Sequence, residues 1–142
     1  PEYDFVLTFE ADCSPLGPHW YRPLMKAWTE ANRKKPVNML GAMVEHPAPH
    51  VNGNAMFSGK LPYLHEISRK IGGCSPIHGW DFYLTRDFSR LGWGNCDHIK
   101  SFWQRKTMTP EEVDGLITSG VTFLHGVKDY SVLEYVRKRF IR

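Results

Sequence analysis

Apolar and polar positions along this chain form short blocks that predict strands and helices in turn. Apolar and aromatic residues dominate residues 4–9, just before a polar turn, and this composition predicts a strand. Between residues 18 and 34, apolar positions recur at the spacing of one helix face, and Pro36 follows directly. Further along, Thr109 and Pro110 precede an acidic and apolar stretch in the pattern of a helix N-terminus.

Predicted strands and helices alternate in this way over the whole chain. The predicted strands cover residues 4–9, 38–46, 55–58, 99–103 and 121–126. The predicted helices cover residues 18–34, 61–71, 80–92 and 109–117, and a last helix, capped by Asp129, runs to Arg139. The polar stretch 47–54, which contains Pro and Gly, is predicted to be a loop. The fold class that follows is α/β, with a mixed sheet and flanking helices.

Composition narrows the class of protein. The chain has 142 residues, 42% hydrophobic and 23% charged, which suits one domain with its own core. A net charge of +3 is too small to argue for nucleic acid, so no nucleic-acid partner is expected. No apolar stretch reaches the roughly 18 residues of a membrane span. Three cysteines without CxxC spacing predict reduced thiols and a cytoplasmic protein, with one disulfide and one free thiol as the alternative.

Two carboxylates, Glu10 and Asp12, follow the first predicted strand one residue apart. Acidic side chains are depleted in strands and costly to bury, so folding alone does not account for them. Residues i and i+2 of an extended chain project to the same side, and both carboxylates can therefore face one point. Oxygen ligands of this kind suit Mn²⁺ or Mg²⁺. The alternative is a solvated turn in which Asp12 or Ser14 caps the next helix.

The segment HGVKD, residues 125–129, follows the last predicted strand. His125 can ligate a metal ion, Gly126 permits close backbone approach, and Lys128 can bind a phosphate. Ligands gather at the carboxyl ends of strands in open α/β sheets, so we expect this segment to lie near the two carboxylates. A lone histidine at a strand end is more often structural, and the prediction rests on the two segments together.

The middle of the chain carries two further candidate segments. Asn52, Gly53 and Asn54 offer amide donors and acceptors suited to sugar hydroxyls, or they form a plain turn. Trp80 can stack on a sugar ring and Asp81 can act as a base toward a hydroxyl. In the structural alternative, Trp80 packs in the core and Asp81 caps its helix.

Other histidines and tryptophans carry weaker signals. His46 and His50 are interpreted as surface or turn histidines rather than as metal ligands. Trp20, Trp28 and Trp103 are either core residues or walls of a ligand subsite, and the sequence does not separate these two interpretations.

These motifs, taken in order, resemble the C-terminal half of a GT-A type nucleotide-sugar glycosyltransferase. The acid-x-Asp motif after a strand and the downstream His-Gly-x-Lys are the main points of likeness. HVNGNAMFSG at 50–59 and GWDFYL at 79–84 are similar to the donor and acceptor segments of that family. The resemblance implies that Asp12 is the principal metal ligand, Glu10 lies near the metal or ribose, and His125 is a late ligand.

The resemblance also implies an activity: metal-dependent transfer of a sugar from a nucleotide-diphosphate sugar to a carbohydrate or glycosylated acceptor, with Mn²⁺ or Mg²⁺. Lys128 and Gly126 would bind the diphosphate, and Asp81 would be the catalytic base. The substrate-binding residues would be Asn52, Gly53, Asn54 and Trp80.

The family's nucleotide-binding half precedes its metal motif, whereas only nine residues precede Glu10 here. Residues 1–142 are therefore expected to be a single GT-A-like domain that forms the C-terminal part of a larger catalytic domain. A preceding domain or a second chain would complete the nucleotide site. The alternatives are a non-catalytic carbohydrate-binding or assembly module, and a metal-dependent hydrolase or phosphotransferase.

Overall fold

The computed structural model describes residues 4–46, 48–59, 81–82 and 92–141. The strands in these ranges are β1 (Phe5–Leu7), β2 (Cys13–Pro15), β3 (Met39–Val44), β4 (His50–Ser58), β5 (Trp93–Asn95), β6 (Ile99–Arg105) and β7 (Phe123–Val127). The helices are α1 (Tyr21–Lys34), α2 (Pro110–Thr118) and α3 (Ser131–Phe140). The predicted α/β class with mixed strand pairing is confirmed. No helix within the described ranges is long and apolar enough to cross a membrane.

The strands form two sheets rather than one. The first sheet has the order β1-β4-β3-β5 and the second has the order β2-β7-β6. Each is mixed, because β3 pairs antiparallel with β4 and parallel with β5, while β7 pairs antiparallel with β2 and parallel with β6. The connection from β1 to β2, residues 8–12, therefore leads from the first sheet to the second. This connection contains both candidate carboxylates.

Two apolar clusters hold the helices against the sheets. Leu24 and Trp28 on α1 pack with Met56 of β4, and Leu24 is completely buried. Val113 of α2 packs in the second cluster with Leu124 of β7. Trp28 is therefore a core residue rather than the wall of a ligand subsite.

Several predicted elements are present with nearly the predicted bounds. Helix α1 lies within the predicted range 18–34, and α2 begins where Thr109 and Pro110 predict it. The Thr109 hydroxyl accepts a hydrogen bond from the backbone N–H of Glu112, whose carboxylate accepts one from the backbone N–H of Thr109. This reciprocal capping box satisfies two donors at the start of the helix.

Parts of the prediction lie outside the described residues. The predicted helix over 61–71, most of the helix over 80–92, Trp80 and Cys74 belong to those parts. Within the described ranges, Asp81 and Phe82 are helical, as predicted. Cys13 and Cys96 are both free thiols.

The prediction of a loop over residues 47–54 is wrong for its second half, because β4 begins at His50. Asn-Gly is a frequent turn pair, but here Val51 pairs with Met43 and Ala55 pairs with Gly41. Pairing between two neighbouring strands overrides the local turn preference. Strand β1 is in turn shorter than the predicted range 4–9, since it ends at Leu7.

Candidate metal site and the pocket beside it

Glu10, Asp12 and His125 place one ligand atom each within 4.8 Å of one another. Both carboxylates lie in a turn that closes when the backbone N–H of Cys13 donates to the Glu10 carbonyl, at 3.2 Å. Cys13 is directly opposite His125 in the β2–β7 ladder, and this register brings the histidine beside the turn. The structure thus brings the three predicted ligands together, although from a turn and from the interior of β7 rather than from strand ends.

The imidazole of His125 is oriented as a metal ligand would be. Its Nδ1 lies 2.9 Å from Oγ of Ser101, while its Nε2 lies 2.8 Å from a Glu10 oxygen and 3.4 Å from an Asp12 oxygen. Nε2 is buried and makes no well-directed hydrogen bond to any group in the described part of the chain. A ring that donates from Nδ1 to Ser101 presents its Nε2 lone pair to two carboxylates. In this tautomer the Nε2 lone pair is available to a metal ion held between the carboxylates; in the other tautomer Nε2–H faces Glu10 and Nδ1 accepts from Ser101.

Charges around the site keep both carboxylates ionised. The neighbouring imidazole of His125 lowers the pKa of Glu10 and outweighs the opposing effect of partial burial. Burial by itself raises the pKa of Asp12, but its ion pair with Lys128 and the nearby His125 lower the pKa overall. Ionised carboxylates are the form that binds a divalent cation.

Asn54 anchors the turn that carries the carboxylates. Its Oδ1 accepts a hydrogen bond from the backbone N–H of Glu10, at 2.7 Å, and another from the Cys13 thiol, at 3.0 Å. Burial raises the pKa of Cys13 to about 12, so the thiol keeps its proton and can donate. The Nδ2 of Asn54 donates to Oδ1 of Asn52 at 2.9 Å. Asn54 is only 1% exposed, and its side chain holds this turn from inside the fold.

A pocket of about 810 Å³ adjoins the metal site and is called the central pocket below. It brings together residues from both sheets and from the helical segment at Asp81. The residues that matter for the chemistry are Glu10, His125, Lys128, Asn52, Asp81 and Trp103.

Irregular strand pairing shapes two walls of the central pocket. Between β3 and β4, residues 52–54 lie opposite the single residue Ala42. Between β6 and β7, residues 102–104 lie opposite the single residue Gly126. Such bulges bend a strand and redirect its side chains, and they recur beside active sites. The Asn-Gly-Asn segment is therefore neither a simple turn nor a regular strand.

Gly126 is required by the second bulge. Its φ is +93°, and a Cβ at this position would lie 1.9 Å from the carbonyl oxygen of Phe102. Its N–H points toward the carbonyl of Asp12 at 3.4 Å. The sequence predicts close backbone approach at Gly126, and the structure shows that the approaching group belongs to Phe102 of the same chain.

Asp81 is buried at the wall of the central pocket. One carboxylate oxygen accepts hydrogen bonds from the backbone N–H of Gly53, at 2.8 Å, and from the Asn52 amide, at 3.3 Å. The other oxygen accepts from the backbone N–H of Phe82 at 2.9 Å. Asn52 and Gly53 thus orient the predicted base.

Sequence reasoning missed the roles of His50 and Ser101. His50 is 5% exposed, lines the central pocket and lies 3.9 Å from Asp81, so its interpretation as a surface or turn histidine is wrong. Residues two apart in a strand project to the same face, so a strand at this position would have placed His50 on the same side as Asn52. No signal in the sequence pairs Ser101 with His125, because only the β6–β7 register does so. Of the two interpretations that the sequence leaves open for Trp103, the core is excluded, because the side chain is 84% exposed and lines the central pocket.

Comparisons with protein-family models, with curated proteins and with solved structures give no significant match to this chain.

Proposed function

We propose that this chain is the metal- and acceptor-binding part of a GT-A type glycosyltransferase. It would transfer a sugar from a nucleotide-diphosphate sugar to an acceptor hydroxyl, with Mn²⁺ or Mg²⁺ held by Glu10, Asp12 and His125. One observation carries the proposal: the central pocket is lined by residues of the candidate metal site and also by the buried carboxylate of Asp81. Sugar transfer needs stabilisation of a diphosphate leaving group and a base for the attacking hydroxyl.

The metal site and Lys128 would stabilise the diphosphate leaving group. A bound divalent ion would supply a positive charge for the diphosphate. Lys128, which is half exposed and paired with Asp12, lines the same pocket and can turn its ammonium group toward a phosphate oxygen. Ser101 orients the ring of His125 through its contact with Nδ1.

Asp81 would act as the base for the attacking hydroxyl. Its carboxylate is held by two backbone N–H groups and the Asn52 amide, so its position is fixed before any ligand enters. A hydroxyl that enters the central pocket can give its proton to this carboxylate directly or through one water molecule. His50, 3.9 Å away, can adjust the electrostatics of the carboxylate.

The first test is calorimetric titration with UDP, GDP and their sugar conjugates, in the presence and absence of Mn²⁺. We expect metal-dependent binding by the wild-type chain and loss of that binding in Asp12→Asn. Glu111→Gln, which alters an exposed acid on α2, is the matched control and should bind like wild type. Equal binding by Asp12→Asn and wild type would contradict the metal site.

The second test separates transfer from its alternatives, and it is run on this chain and on the longest natural protein that contains it. Asp81→Asn should retain donor binding but lose transfer by about 10²–10⁴-fold, the usual contribution of a general base. Release of the sugar to water at the wild-type rate, without transfer to any acceptor, would favour a hydrolase. Carbohydrate binding without any metal-dependent donor binding would favour a non-catalytic module.

A further inference from the structure

Trp103 is the most exposed large apolar side chain in the described part of the chain, with 84% of its surface accessible. An indole in water gains nothing for folding, because its apolar area stays unburied. Among the described residues, no other aromatic ring packs against it. The side chain nevertheless lines the central pocket. The position of Trp103 is therefore not explained by packing in the core.

The backbone around Trp103 is built to present it. Residues 102–104 form the bulge opposite Gly126, and Gln104 within it has a φ of +51°, a left-handed conformation that is unfavourable for a residue with a Cβ. Phe102, on one side of the bulge, packs against the buried cluster under α2 and α3. The fold thus packs Phe102 partly against the core and leaves Trp103 exposed at the pocket, at the expense of strained backbone.

The polar groups of the central pocket indicate what the indole faces. Glu10, Glu45 and Asp81 supply carboxylates, Asn52 and Gln104 supply amides, and Lys128, His46 and His50 supply basic groups. Carboxylates and amides around one aromatic face match a ligand that has many hydroxyl groups at its edge and an apolar C–H surface on its ring.

We infer that Trp103 is a stacking platform for a pyranose ring of a carbohydrate that enters the central pocket. The ring's C–H face would pack on the indole while its hydroxyls reach the carboxylates and amides of the pocket. The identification of this ring as the acceptor rests on the proposed function; the stacking itself does not. Trp103 then governs acceptor affinity, whereas the metal site governs donor affinity.

The test uses ¹⁹F NMR of the chain labelled with 5-fluorotryptophan, titrated with the methyl glycosides of glucose, galactose, mannose and N-acetylglucosamine. The resonance missing from Trp103→Phe identifies Trp103 among the five tryptophans. We expect at least one glycoside to shift that resonance and to leave the resonance of buried Trp28 unchanged. If no glycoside shifts the Trp103 resonance, the inference is wrong, whatever the outcome for metal and donor binding.

Variants then measure how much the indole contributes. Trp103→Ala should weaken affinity for that glycoside at least about fivefold, whereas Trp103→Phe, which keeps a flat ring, should stay within about threefold of wild type. Mn²⁺-dependent binding of UDP or GDP should not change in either variant. Tyr130→Ala is the matched control, because Tyr130 is 75% exposed and does not line the pocket. Weaker nucleotide binding in Trp103→Ala, with unchanged glycoside binding, would assign the indole to the donor and overturn the inference.

Discussion

His125 faces an unbalanced set of charges. Glu10 and Asp12 each carry one negative charge and Lys128 carries one positive charge, which leaves a formal charge of −1 beside a buried imidazole nitrogen. A divalent ion changes this sum to +1, which suits an anionic diphosphate. The charge of the site is therefore compatible with a divalent ion that in turn attracts an anionic ligand, as the proposed function requires.

A substitution at His125 tests its role as a ligand. His125→Gln should weaken Mn²⁺ binding at least about tenfold, because the amide cannot replace the imidazole nitrogen in strength or position. Ser101→Ala should weaken it less, since the ring loses only its orienting partner. The measurement is calorimetric titration with Mn²⁺ alone. His98→Gln is the control, because His98 bonds to the Gly120 carbonyl outside the site; unchanged affinity in His125→Gln would leave His125 a structural role only.

The sequence identifies the candidate metal ligands more readily than the residues that position them. Glu10, Asp12 and His125 stand out because acids and histidine beside strands are costly unless they are used. Asn54 looks like part of a turn, and only the fold shows that it holds the Glu10 turn from a neighbouring strand. Positioning depends on which strands become neighbours, and a single sequence does not state this.

Helix α2 begins with a capping box whose strength depends on pH. The Thr109 backbone N–H, and then Arg105, lower the pKa of Glu112 from its ordinary value of 4.5. A lowered carboxylate pKa adds stability that is present above the unfolded-state pKa and is lost as the pH falls through the folded-state pKa. The pH-dependent contribution of Glu112 is therefore present at neutral pH and disappears in acid.

The corresponding prediction concerns Glu112→Gln. Wild type should be more stable than this variant at pH 7, and the difference should shrink as the pH falls from about 5 to about 3. Urea unfolding at several pH values measures the difference. Glu111→Gln, which alters an acid of the same turn that makes neither capping contact, should show a smaller change with pH. A gap between wild type and Glu112→Gln that stays constant with pH would contradict the argument.

Gly126 and Gly115 form a matched pair of glycine positions. A Cβ at Gly126 would clash with the Phe102 carbonyl, and the positive φ adds strain, so Gly126→Ala should destabilise the fold by about 3 kcal/mol or more. A Cβ at Gly115, within α2, meets nothing within 4 Å, so Gly115→Ala should be neutral or stabilising by up to about 1 kcal/mol. Chemical denaturation compares both with wild type. Similar stability of the two variants would show that the bulge can relax.

Regular elements could be predicted from the sequence, whereas the bulges could not. Helix α1 follows from the spacing of its apolar residues, and α2 follows from its capping pattern. The bulges at residues 52–54 and 102–104 depend on how two strands pair, and local composition does not encode that register. The separation into two sheets could not be predicted either, because it also depends on which strands pair.

The two sheets meet at the candidate site. The Glu10 turn joins them along the chain, His125 belongs to the second sheet, and Asn54 ties the turn to β4 of the first. The central pocket takes residues from both sheets, so the relative positions of the candidate metal ligands and of Asp81 depend on that junction. A residue that holds the junction should therefore affect metal binding without touching the metal.

Asn54→Ala tests this link between the junction and the site. Loss of the acceptor for the Glu10 N–H and the Cys13 thiol should lower the free energy of unfolding by about 1–3 kcal/mol. It should also weaken Mn²⁺ binding by about 10–100-fold, the usual effect of removing a group that positions ligands. Asn32→Ala is the control, because Asn32 bonds to Trp28 and Val37 at the end of α1. It should cost stability while leaving Mn²⁺ affinity unchanged. Equal Mn²⁺ affinity in Asn54→Ala and Asn32→Ala would mean that the carboxylates reach their places without the tie to the first sheet.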